Sequence, residues 1–152
     1  LRRVEAALHE AGLSVEIRET DDSARTAEGA AAAVGCEVDQ IAKSIIFRGE
    51  ESGHVVLFLT AGGNRVDPAR ATEIAGQPLG KADADLIRTE TGFAIGGVAP
   101  VGHLRRIQAF VDPRLLEFDL VWAAAGTPRH VFAIAPADLI RVTGAEKAAF
   151  TA

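Results

Sequence analysis

The segment Ile95-Gly96-Gly97-Val98-Ala99-Pro100-Val101-Gly102-His103 sets three glycines and a proline within eight positions from Gly96. Glycine permits close backbone approach and φ > 0, and proline fixes φ while deleting one donor, so such a loop holds its shape without bulky side chains. Bare N–H groups in that setting suit an anion or a developing oxyanion. A second feature is Lys43, in Gln40-Ile41-Ala42-Lys43-Ser44-Ile45-Ile46-Phe47, a run otherwise apolar enough for a core strand. Strand alternation puts Ile41, Lys43, Ile45 and Phe47 on one face and Ala42, Ser44 and Ile46 on the other. Both faces are mostly apolar, and a desolvated ammonium requires a partner. Lys43 is therefore either an edge-strand lysine that discourages aggregation or the holder of a phosphate, a carboxylate or a polarised carbonyl.

Other polar residues say less. Thr26 reads as a helix cap, and Asp112, just before Pro113, as the cap of the turn that follows. His130 opens a strand after Ala125-Gly126-Thr127-Pro128-Arg129, where a loop end can present it to a site. Cys36, His9 and His54 have no sequence neighbours that suggest a catalytic pair. No serine lies in a Gly-x-Ser-x-Gly elbow, and the four histidines lack the i, i+4 spacing of a metal pair, so neither a metal nor another cofactor is expected.

Positioning these groups requires strands and helices in alternation. Leu1 to Gly12 carries apolar residues on one helical face, and Leu13, Val15 and Ile17 alternate as in a half-buried strand. Thr26 opens an alanine-rich helix ending near Gly35. Ile41 to Arg48 and His54 to Thr60 form a hairpin. Asp67-Pro68 opens a helix to about Gly76, and a short helix near Asp83 to Thr89 precedes the glycine loop. Ile107 to Val111, Leu120 to Ala124 and His130 to Ile134 read as strands, with a helical turn from Pro113 to Phe118. Pro136 to Arg141 and Ala145 to Phe150 read as closing helices. The pattern predicts one mixed α/β domain over residues 1–152, α+β-like, with a largely antiparallel sheet or partial barrel flanked by helices.

Composition narrows the function classes. The chain is 48% hydrophobic and 24% charged, with no apolar run long enough to span a bilayer, and reads as cytoplasmic. A single cysteine excludes an internal disulfide and a Cys-based zinc site. A formal net charge of −5 argues against a domain that coats nucleic acid, and no DNA partner is expected, although a brief local contact is compatible with it. Arg105 and Arg106, with His103, form either a small basic rim beside the loop or scattered surface charge.

Thr26-Ala27 with Ala30-Ala31 and Gly35, Ile41-Ala42-Lys43-Ser44, Thr91-Gly92, Gly96-Gly97-Val98-Ala99-Pro100 and Val111-Asp112 together resemble the YbaK and prolyl-tRNA synthetase editing-domain family. The resemblance runs across nearly the whole chain. It implies a mixed α/β domain and a free-standing deacylase that hydrolyses the ester of a mischarged tRNA, with a synthetase as a further partner. Such editing answers the weak discrimination of synthetase pockets, where one methylene is worth only about 1–3 kcal/mol. By the same resemblance the Gly96 loop, with Gly97 and Pro100, receives the aminoacyl group and the terminal adenosine. Lys43 anchors the phosphate or ester end, and the ribose 2′-hydroxyl helps activate water. Thr26, Ser44, Thr60 and His130 fall to substrate binding, the last three as readers of the amino-acid side chain.

The sequence departs from the cysteine-clearing members, which use an early tyrosine and an aspartate near the position of His130; here there is no tyrosine. Alanine, serine or threonine on a non-cognate tRNA is the expected substrate. The competing expectations are a non-catalytic aminoacyl- or nucleotide-binding module in the same cleft, and a hydrolase of other small esters.

Overall fold

Every residue of β3 (Val55–Ala61), Val-Val-Leu-Phe-Leu-Thr-Ala, is buried, because strands flank it on both edges and helices cover both faces. Such a continuously apolar strand belongs at the centre of a sheet. The computed structural model describes residues 1–152, the side chain of Ser23 excepted. Around β3 run β1 (Ile17–Glu19), β2 (Ile41–Gly49), β4 (Leu79–Lys81), β5 (Gln108–Val111), β6 (Val121–Ala124), β7 (His130–Ile134) and β8 (Glu146–Lys147). Their order is β1-β7-β6-β2-β3-β5-β8, with β4 also paired to β2. Pairs β1·β7, β2·β3, β2·β4 and β6·β7 are antiparallel, and β2·β6, β3·β5 and β5·β8 are parallel. The expected mixed, mainly antiparallel α/β arrangement is the one found.

Side-chain alternation sorts the core into two faces. Ala42, Leu57, Leu59, Val111, Ala123 and Phe132 pack on one side with Val4 and Leu8 of α1 (Arg2–Glu10), Ile87 of α4 (Ala84–Thr91) and Leu139 of α5 (Pro136–Thr143). On the other side, α2 (Ala27–Val34) lays Ala30 and Ala31 on Ile41 and Trp122, and α3 (Pro68–Ala75) lays Ala71 near Phe58, Phe110 and Phe150. Phe58 is the hub of that second cluster, 4.9 Å from the Phe150 ring edge-on and 5.3 Å from the stacked Phe110 ring. Such ring pairs add about 0.5–1.5 kcal/mol each beyond area burial.

Most expected elements are present, with two corrections. Ala145 to Phe150 is not a helix: Gly144 ends α5 in the left-handed region, and Glu146–Lys147 join the sheet beside Phe110–Val111. The alternating segment from Leu13 is strand only from Ile17, where a partner, Phe132, is first in register. The three-residue β4, which pairs with Phe47–Gly49, carries no sequence pattern that announces it.

Candidate active site

Along one edge of β2, β6 pairs only with Ile41 and Ala42, and β4 pairs only with Phe47, Arg48 and Gly49. Between them, from Lys43 to Ile46, that edge has no strand beside it. A cavity of about 260 Å³ opens at this gap, with Thr26, Ala27 and Ala30 of α2 on one side, Gly96 and Val98 on another, and Trp122, Thr127, Pro128 and His130 completing the wall. At about 30 Å³ per water molecule, the volume equals that of about nine waters, room for an aminoacyl group. Sequence reading identified the Lys43 strand but not the gap, which arises because β6 and β4 stop short of one another.

Lys43 is half-buried, and its Nζ donates to the Asn64 carbonyl at 2.7 Å. An ammonium has three donors, so two remain. Behind Asn64 lies a hydrogen-bonded scaffold. Asn64 Nδ2 donates to Asp112 Oδ2 at 2.9 Å, and the Ala61 N–H donates to the same oxygen at 3.1 Å. Asp112 Oδ1 accepts from the Arg114 N–H at 2.9 Å, the cap expected from Asp112-Pro113. Beside it, Asp39 accepts from the Gly63 N–H and from Arg114 Nε; the Arg114 hydrogen bond holds its carboxyl below the usual carboxylate range. The backbone segment that grips Lys43 is thus tied down from two sides. Asn64 carried no recognisable signal in sequence.

The glycine loop is split in function. Gly96 is exposed with φ +94°, a conformation that side chains rarely adopt, and it faces the cavity. Gly97 is buried, its N–H donates to the Ala94 carbonyl at 3.2 Å, and a Cβ there would sit 2.8 Å from the Thr127 carbonyl carbon. Gly97 therefore allows the loop to lie against the Thr127-Pro128 backbone, and it is not a free oxyanion donor as expected. Pro100 also falls off the cavity lining: with Val101, Gly102 and His103 it borders a separate hollow. Arg3 of α1 fixes both ends of the loop, donating to Gly102 O at 3.1 Å and Gly92 O at 2.5 Å with its guanidinium 4.6 Å from the Phe93 ring centre. Within the loop, His103 Nε2–H donates to Ala99 O at 2.6 Å, and burial pushes the imidazole pKa down.

Thr26, Lys43, Ser44, Gly96 and His130 line the one cavity; Thr60, Gly97 and Pro100 do not. Thr60 is fully buried opposite Lys43 on β3 and gives its hydroxyl to Phe58 O at 3.0 Å, which corrects its expected role as a pocket reader. Thr26 Oγ1 caps α2 by accepting from the Gly29 N–H, as the sequence indicates. Ser44 Oγ is buried and, among the described residues, has no hydrogen-bond partner. His130 has both ring nitrogens engaged: Thr127 Oγ1, which accepts from the Arg129 N–H, donates to Nδ1 at 2.7 Å, leaving Nε2–H to face Glu19 at 3.3 Å. That makes it a fixed wall. Arg25 also lines the cavity, so two cations border it and no carboxylate does.

His54, which has no sequence neighbour for a pair, meets Glu90 thirty-six residues on, its Nδ1 2.7 Å from Oε2. The buried Glu90 also accepts from the Val55 N–H at 2.9 Å, and Arg105 reaches it at 3.4 Å. Burial raises the Glu90 pKa, but the His54 and Val55 hydrogen bonds and the His54 and Arg105 charges outweigh it, and the net direction is down. Arg105 and Arg106 border other hollows, so the basic rim does not edge the Lys43 cavity.

Residues 21–142 match the model of the aminoacyl-tRNA editing domain. Uncharacterized protein YwhH of Bacillus subtilis (strain 168) is 30% identical over 124 residues, 82% of this chain and 78% of that protein. A crystal structure described as that of "a putative trans-editing enzyme for prolyl tRNA synthetase" superposes with a TM-score of 0.92 at 47% identity, covering 99% of this chain and 96% of that one. Another, of a hypothetical protein, has a TM-score of 0.88 at 29% identity and covers 99% of both chains. Among the described residues no helix is long and apolar enough to cross a membrane. The chain belongs to the aminoacyl-tRNA editing-domain family, the YbaK family.

Proposed function

We propose that this chain, acting as one editing domain, hydrolyses the ester that joins a small amino acid (alanine, serine or threonine) to the 3′ end of a non-cognate tRNA. The observation that carries the reading is the convergence of the Lys43 ammonium and the exposed Gly96 backbone on one cavity at the unpaired edge of β2. In this reaction water attacks the acyl carbon, the bond to the ribose oxygen breaks, and that oxygen takes up a proton to release tRNA and free amino acid. Lys43, held by Asn64, presents its two remaining N–H donors to the phosphate or ester end. Gly96 offers backbone to the acyl oxygen as negative charge develops there. Because His130 has no free nitrogen, water activation falls to the ribose 2′-hydroxyl of the substrate.

Side-chain selection falls to the cavity's Thr26, Ser44 and His130, with Trp122 limiting its size. A panel of mischarged tRNAs, assayed for amino-acid release at micromolar protein, tests the reading. Release of alanine, serine or threonine from at least one non-cognate tRNA is expected; a panel that stays charged rejects it. Ligand protection against thermal unfolding without turnover would favour the non-catalytic binding module instead. Activity on small esters at the same kcat/KM as on tRNA would favour a general esterase. A synthetase that delivers the tRNA would appear as a rise in release rate when it is added.

A further inference from the structure

A hollow larger than the Lys43 cavity lies away from it. It measures about 510 Å³ and is bordered by His54, Gln77, Arg105, Arg106, Gln108 and Thr143, with Glu146 as its one carboxylate. Arg105 is held in place there by Glu90, at 3.4 Å, and its Nη1 touches both ring nitrogens of His54. Arg106 is exposed and, among the described residues, forms no ion pair. On a chain with a formal net charge of −5, two adjacent arginines presented in an open polar hollow form a local exception.

The hollow is continuous with the glycine loop. Residues Pro100 to Ile107 border a second hollow that shares Arg105, Arg106, Ile107, Ala109 and Thr143 with the first. The same loop begins at Gly96 and Val98, which line the Lys43 cavity. In the sheet, Thr60 stands opposite Lys43 and Val56 beside Gln108, so the two sites are four residues apart along β3 and two strands apart across it. At about 3.3 Å per residue and 4.8 Å per strand, that is about 16 Å. That line crosses the buried β3, so an RNA strand must pass around the sheet, and at about 3.4 Å per nucleotide more than about five nucleotides separate the two sites.

We infer that Arg105 and Arg106 receive the phosphodiester backbone of the RNA whose 3′ end occupies the Lys43 cavity. This deepens the editing proposal and rests on it for the identity of the RNA. Arg106 supplies an unpaired guanidinium, and Arg105 a guanidinium pre-oriented by Glu90 and His54, so little ordering is needed on binding. The exposed Gln108 adds a neutral amide for sugar and phosphate oxygens.

The test is fluorescence anisotropy of a labelled RNA stem-loop with a single-stranded 3′ end, titrated with the full chain from 50 to 300 mM salt. Arg106→Ala and the double variant Arg105→Ala/Arg106→Ala are compared with Arg70→Ala/Lys81→Ala, which removes two exposed cations outside the hollow. Each lost phosphate contact is expected to lower the salt slope by about 0.7–0.9, equivalent to about five- to eightfold weaker binding at 100 mM relative to 1 M salt. The Arg70/Lys81 control is expected to keep the wild-type slope. If Arg105→Ala unfolds the protein by leaving Glu90 exposed to a lost partner, Arg106→Ala and Arg105→Lys carry the comparison. Unchanged RNA affinity and slope in Arg106→Ala would overturn the inference, as would an acidic protein partner whose binding, rather than RNA binding, is lost. RNA binding that weakens as expected without any ester hydrolysis would defeat the editing proposal and leave this surface standing. Equal KM for wild type and Arg106→Ala on charged tRNA, with hydrolysis intact, would do the reverse.

Discussion

Replacing Gly97 by alanine isolates the wall that holds the glycine loop against the Thr127-Pro128 backbone. Gly97 has no positive φ, so alanine meets no conformational penalty of its own there, and only contact acts. The new Cβ would lie 2.8 Å from Thr127 C, 3.0 Å from Thr127 Cα and 3.1 Å from Pro128 N. Ordinary carbon contacts are about 3.5–4.0 Å, so the loop and the turn must separate by about 1 Å. All three obstacles are backbone and cannot swing aside. Overpacking of this kind costs about 1–3 kcal/mol. A 1 Å displacement of a positioned group lowers turnover by as much as about 100-fold. At Gly96 the situation is inverted: a Cβ meets nothing within 4 Å, but φ is +94°, so alanine there carries backbone strain of about 1–2 kcal/mol without moving the wall. The assay pairs urea unfolding with single-turnover release of amino acid from a mischarged tRNA. Gly97→Ala is expected to lose both stability and rate, and Gly96→Ala stability with a smaller loss of rate. A Gly97→Ala protein within 0.5 kcal/mol of wild type and fully active would refute the wedge; lost stability at full rate would refute its link to catalysis.

Arg3→Ala removes two hydrogen bonds and a ring contact that fasten the loop to α1, and is expected to cost about 1–3 kcal/mol, with amide exchange rising over residues 93–103; unchanged exchange would count against the clamp. His103 has a folded pKa below its unfolded one, so it contributes stability that is present above about pH 6.5 and lost as pH falls through the folded value. His103→Gln is expected to flatten the stability profile between pH 7 and 5, and an unaltered profile would place that titration elsewhere. Asp112→Ala strands the Ala61 N–H and Asn64 Nδ2 and uncaps the turn at Pro113, for an expected loss of about 2–4 kcal/mol by denaturant unfolding. A loss below 0.5 kcal/mol would mean the scaffold behind Lys43 is not held by Asp112.

Local rules were enough wherever the relevant physics is local. Thr26, Asp67 and Asp112 announced their caps, and the alternation around Lys43 assigned its face correctly, because both depend on neighbours within a few residues. The resemblance carried Lys43, Ser44, Gly96 and His130 to one place, which the geometry now brings together. What escaped depends on distant partners. The Ala145–Phe150 segment has helical composition, yet the open edge of β5 draws Glu146–Lys147 into the sheet. Thr60 is polar in a strand, but β3 is buried on both faces and its hydroxyl satisfies itself locally. The loop's glycines look alike in sequence, and only the packing of the Thr127-Pro128 turn distinguishes the one that faces the cavity from the one that wedges the wall. His54 and Glu90 likewise meet across thirty-six residues with no spacing to betray them.

The central claim is that the Lys43 charge, gripped by Asn64 at the mouth of the β2 gap, assists cleavage of an aminoacyl ester. Lys43→Met keeps most of the aliphatic stem and removes the ammonium. The direct measurement is single-turnover deacylation of the best mischarged tRNA by wild type and by this variant, with both shown to be folded by near-UV circular dichroism. Loss of one preorganised donor at a developing charge predicts a rate about 10²- to 10³-fold lower. A folded Lys43→Met protein that releases amino acid within threefold of the wild-type rate would contradict the account.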